Sequence, residues 1–342
     1  MLFSCSEDND GTSAVDSSLN QEILTDFSQN IAQSVYGDLQ SSAETLYSNV
    51  NALATDGATN VELKAAQDAW RSARTAWEQS EAFLFGPVST ESIDPRIDTW
   101  PVNFTDLDAQ LSSGHAFTEE YINDLEDALK GFHPIEYLLF GENGNKTADQ
   151  ITARDLEYLQ ALALNLKTLT GTLAEEWNTS NGSGYLKTFV SAGSGSTVYT
   201  TQLEAFEELV NSMSGICDEV ANGKISEPFL QKNPSLEESP FASSSISDFT
   251  NNIKGVQNVY LGKYTADGKG LEDLVKKYNL QLDAQIKTKI SAAIAALNNI
   301  TVPFGRAITE QPILVQNAID AIEDLHKTLD ESLLPFVREH AK

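Results

Sequence analysis

Apolar residues in this chain recur every three or four positions, and no other feature constrains its fold as tightly. Leu271, Leu274, Tyr278, Leu282, Ile286, Ile290, Ile294 and Leu297 form one such series. At 3.6 residues per turn these positions share a single face, so the spacing predicts one long amphipathic helix there. Val315, Ala318, Ile322, Leu325, Leu329, Leu333 and Phe336 repeat the pattern, as do Ala66, Trp70, Ala73, Trp77 and Leu84 nearer the front. Sustained apolar–polar alternation of the kind a half-buried strand needs is missing, and β-branched residues come singly or inside helical stripes. The expected fold class is all-α.

Helix breakers divide this material at Gly86-Pro87, Pro95 to Pro101, Ser113-Gly114, Gly141 to Gly144, Asn181 to Gly195, Asn222 to Pro240 and Gly262 to Gly270. The stretch from Asn222 to Pro240 carries Gly223, Pro228, Pro234 and Pro240 and is the candidate crossing between two halves. With 342 residues, roughly two average domains, the expectation is two tandem helical bundles. They would cover residues 20–225 and 226–342, after an N-terminal tether at 1–19.

Twenty-two Lys and Arg against fifty Asp and Glu leave a formal charge of −28. Such a field repels phosphate backbones and anionic headgroups, which excludes nucleic acid and a polybasic membrane contact as partners. No apolar run reaches the ~20 residues of a membrane span. Met1-Leu2-Phe3-Ser4-Cys5 looks like the tail of a bacterial lipobox, and the polar, acidic stretch from Ser6 to Ser13 resembles the tether that follows a lipidated cysteine. Cys5 would then anchor the chain at the outer membrane of a Gram-negative cell envelope, on its periplasmic or surface face; the other reading is a free terminal thiol. Cys217 lies in an apolar helical stretch and reads as a small buried hydrophobe, so cysteine ligation of a metal is excluded.

Three segments carry residue types suited to chemistry. In Gly131-Phe132-His133-Pro134-Ile135-Glu136 the proline suits a first helical turn, which puts His133 at or near the N-cap with Glu136 three residues on. That pair can supply two metal ligands or an acid–base couple, but on spacing alone the favoured reading is a cap, with Glu136 at the N3 position, because one His and one Glu do not complete a site. In the second segment, Arg74, Glu78 and Glu81 run along one face beside Trp70 and Trp77, in a helix that stops at Gly86-Pro87. They form either a solvated salt-bridged face or the wall of a cavity. Third, Asp94-Pro95-Arg96-Ile97-Asp98-Thr99-Trp100-Pro101 reads as a proline-punctuated loop whose Trp100 packs down on something.

Gly131-x-His133-x-x-Glu136 resembles the Gly-x-His-x-x-Glu motif of the imelysin-like family, bacterial envelope proteins historically classed with metallopeptidases. Trp77-Glu78-x-x-Glu81-x-Phe83-x-Phe85-Gly86-Pro87 and Asp98-x-Trp100-Pro101 are similar to that family's other blocks. So are Glu238-Ser239-Pro240-Phe241, Asp248-Phe249 and Tyr260-Leu261-Gly262, and the order is the family's own. The resemblance spans roughly residues 20 to 340. It implies two duplicated four-helix-like bundles with the site in the cleft between them, and kinship with the helical component of a bacterial iron-uptake system. Carried over by position, it implies His133, Glu136, Glu81 and Asp98 as metal ligands. Arg74, Trp77, Glu78, Arg96, Trp100 and Glu238 would line the cleft.

Three functions follow as expectations. One is an envelope protein that binds a metal ion, iron more than zinc, with iron-transport components as partners; an imidazole with two or three carboxylates is a mixed donor set suited to Fe, Mn or Zn. Another is a metallopeptidase with Glu136 as its catalytic carboxylate, although His-Glu-x-x-His is absent and a second imidazole would require His115 to approach His133. The last is a small-ligand-binding lipoprotein, which would need Arg74 and Arg96 to face the cleft.

Overall fold

The computed structural model describes residues 11–55 and 58–341, and Cys5 lies outside them. Among the described residues every regular element is helical, and the one extended pairing is an isolated bridge between Lys263 and Asp267. The all-α expectation holds.

The first group comprises α1 (Gln33–Leu53), α2 (Asn60–Ser80), the short α3 (Ile93–Asp98), α4 (Phe132–Phe140) and α5 (Ala153–Glu176). The second comprises α6 (Gln202–Asp218), α7 (Ser245–Leu261), α8 (Leu280–Asn298) and α9 (Pro312–Thr328). α2 begins where Thr59 and Glu62 form a capping box, the Thr59 N–H donating to Glu62 Oε2 at 2.7 Å. Its Ala66, Trp70, Ala73 and Trp77, read from the sequence as one stripe, are buried, as is Leu63, whereas Leu84 at the end of that stripe lies beyond the helix and is half-buried. α1 packs on α2 and on α5, α4 lies across α2, and α6 to α9 pack among themselves. The two groups meet where α7 lies along α2. A Cβ on Gly255 of α7 would run into the Gln79 carbonyl oxygen at the end of α2, so only glycine admits this approach. Buried apolar side chains from both groups form one contiguous core.

Two elements differ from the sequence reading. The stripe from Leu271 to Leu297 belongs to two helices, because Asn279 leaves helical geometry and its side chain caps α8 by accepting from the Leu282 N–H at 3.0 Å. The first part of the supposed loop at residues 94–101 is helical: Ile93–Asp98 forms α3, whose buried Ile93 and Ile97 hold it on the core. Proline in the first turn of a helix removes an N–H that has no partner there, so Pro95, third in this helix, is accommodated rather than breaking it. Within the second group, directly after α6, residues Glu219–Ile225 form a widened π-helical turn.

Candidate metal centre

α4 is preceded by its N-cap, Gly131, with φ +82°, where any Cβ would collide with the Ile97 carbonyl oxygen of α3. That contact sets α4 against the end of α3. Trp70 of α2 adds a second tie, its Nε1 donating to the Phe132 carbonyl at 3.0 Å. His133 is therefore the second residue of α4 and not its N-cap. Glu136 is no cap either: its Oε1 accepts from the Ala242 N–H at 2.7 Å, across the chain from its own helix. Both side chains are buried. His133 Nδ1 lies 3.7 Å from Glu136 Oε2, and His133 Nε2 lies 3.1 Å from Asp98 Oδ1, off the line of a hydrogen bond.

Asp98, at the end of α3, has both oxygens engaged. Trp77 Nε1 donates to Oδ2 at 2.6 Å, and the Arg74 guanidinium closes on Oδ1. Burial alone would raise the Asp98 carboxyl, but Arg74 and His133 outweigh it and hold it well below the usual carboxylate range. His133 responds in kind: burial disfavours its charge, yet Asp98 and Glu136 push its pKa up to about 9.

Arg74 is 1% exposed and sits among four carboxylates. It pairs with Glu78 and Asp98, reaches Glu238 Oε1 at 3.1 Å, and lies 3.7 Å from Asp248. Lys224, from the π-helical turn, donates to Glu81 Oε2 and Glu238 Oε1, each at 2.8 Å. Asn252 of α7 donates to Glu78 Oε2 at 2.7 Å and to Glu81 Oε2 at 2.5 Å. Ser239 donates to Asp248 at 2.6 Å. The solvated salt-bridged face that spacing allowed for Arg74 and Glu78 is thus an interior network. Six buried carboxylates, Glu78, Glu81, Asp98, Glu136, Glu238 and Asp248, face three cationic groups, Arg74, Lys224 and His133. Negative charge without a counter-charge is costly inside a protein and favours protonation or a cation. Burial accordingly raises Glu78 well above its ordinary value, Glu81 to about 8 and Asp248 to about 7.

A cleft of about 870 Å³ opens beside this network. His133, Glu136, Glu237 and Glu238 form its buried end. Trp100, Phe104, Tyr137 and Phe241 line the more exposed part. Arg74, Trp77, Glu78, Glu81 and Asp98 lie behind the lining rather than in it. Arg96 turns away and donates to Asn123 Oδ1 at 3.0 Å, which removes it from the cleft. His115 is exposed and stacks on Tyr121, so no second imidazole joins His133.

His133, Glu136, Glu81 and Asp98 do not converge as one set of ligand atoms. Among the described residues the convergent trio is Glu78, Glu238 and Asp248, whose oxygens lie within 4.8 Å of one another. The Arg74 guanidinium contacts all three. For a metal the open pair is His133 Nδ1 and Glu136 Oε2, both buried without a hydrogen-bond partner. Ligand atoms ~2.1 Å from one ion lie about 3.0–3.4 Å apart at octahedral or tetrahedral angles, so their 3.7 Å spacing needs only a small closure. Lys224 and Asn252 carried no signal in the sequence, because each enters the network from a turn or helix whose packing on α2 no local pattern announces, while Ser239 was quoted only as part of the Glu238-Ser239-Pro240-Phe241 block. Asp248 stood in a motif block without a role.

Fold and site define an all-helical protein with a buried imidazole–carboxylate network at the foot of an open cleft. The chain belongs to the imelysin family, whose model, described as Imelysin and labelled a peptidase family, matches residues 32–329. It is 33% identical over 292 residues to iron-regulated protein A of Synechococcus elongatus, covering 82% of this chain and 76% of that one. A solved structure from Parabacteroides distasonis, described as a candidate iron-regulated protein A precursor, superimposes with a TM-score of 0.84 at 25% identity over 95% of each chain. An imelysin-like protein from Psychrobacter arcticus shares the fold, with a TM-score of 0.76 at 14% identity over 94% of this chain and 96% of its own.

Proposed function

We propose that this protein binds a metal ion, iron in preference to zinc, through His133 and Glu136 at the foot of the cleft. In this reading it handles iron in the envelope of a Gram-negative bacterium, anchored at the outer membrane through a lipidated Cys5 and working with envelope transport components. The observation that carries it is a pair of buried, unpartnered ligand atoms, His133 Nδ1 and Glu136 Oε2, set in a network with more carboxylates than cations. A bound di- or trivalent cation would displace the proton that gives His133 its charge and, carrying more charge than that proton, would relieve both deficits. Relatives named for iron regulation point to the same metal, and a donor set of carboxylate and imidazole without thiolate suits iron.

Asp98 acts here as a positioning residue rather than a ligand. Its oxygens are taken by Arg74 and Trp77, and it faces His133 Nε2, which leaves Nδ1 for the metal. Glu81 belongs with Lys224 and Asn252 in the supporting network. The small-ligand reading loses the two arginines it required in the cleft, since Arg74 is enclosed by carboxylates and Arg96 bonds Asn123. A peptidase would need Glu136 as a base, with one of its oxygens already bound by Ala242.

Calorimetric titration with Fe(II), Mn(II) and Zn(II) tests the site. His133→Ala and Glu136→Ala should each weaken binding about tenfold or more. Equal affinity in all three proteins would overturn the assignment. Palmitate labelling of the precursor, lost in Cys5→Ala, tests the anchor.

A further inference from the structure

The cleft is too large, and its walls are too apolar, for a bare ion to be its whole occupant. Six waters around a metal fill about 180 Å³, a small part of the about 870 Å³ here. That volume is the size of a site for an organic ligand. Phe104, Tyr137 and Phe241 form a mutual cluster along one side, with ring centroids 5.1 to 5.9 Å apart. Phe104 is 42% exposed although it has these partners, and Trp100 lines the same space. Rings kept at a cleft wall rather than sunk in the core present flat apolar area to whatever enters.

Charge narrows what can enter. Glu136, Glu142, Glu237 and Glu238 line the cleft, while its one arginine, Arg306, is bidentate to Glu310 at 2.8 Å. Glu136 Oε2 and Glu238 Oε2 are buried with no partner. An anionic complex would bring like charge onto these oxygens; a neutral or cationic one would not.

Building on the metal-binding reading, we infer that the cleft takes the metal as a complex with a compact organic chelator of neutral or positive net charge. The chelator's apolar body lies on Phe104, Tyr137 and Phe241 while the metal faces His133 and Glu136. The aromatic wall is then the specificity element and the imidazole–carboxylate pair the metal-sensing one.

The test compares four probes by equilibrium dialysis against the full chain: the cationic ferric bis(benzohydroxamate) complex, the anionic ferric–EDTA complex, iron-free benzohydroxamic acid and Mn(II) alone. The cationic complex should bind at least tenfold more tightly than the anionic complex or the iron-free acid. Phe104→Ala and Tyr137→Ala should weaken it fivefold or more and leave Mn(II) affinity within twofold; circular dichroism checks their fold, and the exposure of Phe104 makes its variant the safer one. His133→Ala should weaken both the complex and Mn(II). Equal binding of the two ferric complexes, equal binding of the iron-free acid, or ring variants that bind like wild type would each overturn this inference while His133-dependent Mn(II) binding kept the metal reading intact. Absence of His133-dependent binding for every probe would overturn both.

Discussion

Replacing Arg74 with methionine isolates what holds the network together. Methionine keeps most of the side-chain volume and removes the charge, leaving Glu78, Asp98, Glu238 and Asp248 around an apolar group in a space that is 1% exposed. Taking one partner from a buried ion pair costs about 3–5 kcal/mol, and solvent screening gives no relief at this depth. With an unfolding entropy of ~2.1 cal/mol/K per residue, a chain of 342 residues would lose roughly 4–7 °C in melting temperature. The loss should depend on pH. At pH 8 the carboxylates are hardest to neutralise; at pH 5 Asp248 and Glu81, raised to about 7 and about 8, already favour protonation, and the deficit shrinks. Millimolar Mn(II) should partly restore the variant, because the oxygens of Glu78, Glu238 and Asp248 lie within 4.8 Å of one another around the vacated position. Thermal and urea denaturation at both pH values, with and without Mn(II), provide the assay. A loss below about 1 kcal/mol, or one identical at pH 5 and pH 8, would refute the account of Arg74 as the interior counter-charge.

The wild-type protein without metal should lose stability as pH rises from about 5 to 9. Glu81, Asp248 and His133 all have folded-state pKa values above their ordinary ones, so folding takes up protons and the stability they contribute, complete at low pH, disappears as each folded pKa is passed. Each proton of difference gives a slope of about 1.4 kcal/mol per pH unit; melting temperatures rising over that range would contradict the burial of these groups, and added metal should flatten the slope. Gly131→Ala should lower stability by more than the ~1–2 kcal/mol of a left-handed non-glycine residue, because its Cβ also meets the Ile97 carbonyl. It should weaken metal binding too, since the same contact sets His133 against Asp98, and wild-type metal affinity in this variant would show that the contact does not govern the site.

The helical class was legible because burial on one face leaves a period in the sequence. The stripe on α2 marks the residues that are buried, and the motif at Gly131 marks a backbone position with φ +82°. The stripe from Leu271 to Leu297 shows where periodicity falls short: two helices in succession can keep one phase across a break, and the capping role of Asn279 that divides them is a side-chain event that hydrophobic spacing does not record. Residues 94–101 show the converse, since two prolines suggested a loop where one of them sits in the first turn of a helix.

At the site, spacing placed Arg74 and Glu78 on one helix correctly, whereas Glu81 falls just past its end in a 3-10 turn, and spacing was silent on what covers them. That face becomes interior because α7 approaches through Gly255, bringing Asn252 onto Glu78 and Glu81, and because a π-helical turn carries Lys224 in from the other side. Once covered, the network assigns roles by which lone pairs remain. Asp98 has the charge of a ligand but spends its oxygens on Trp77 and Arg74, whereas Glu136 spends one on Ala242 and keeps the other. In the proposed metal site these two acids, drawn from neighbouring motif blocks, would serve as an orienting group and a binding group, and what distinguishes them is the number of hydrogen-bond donors that the fold brings to each.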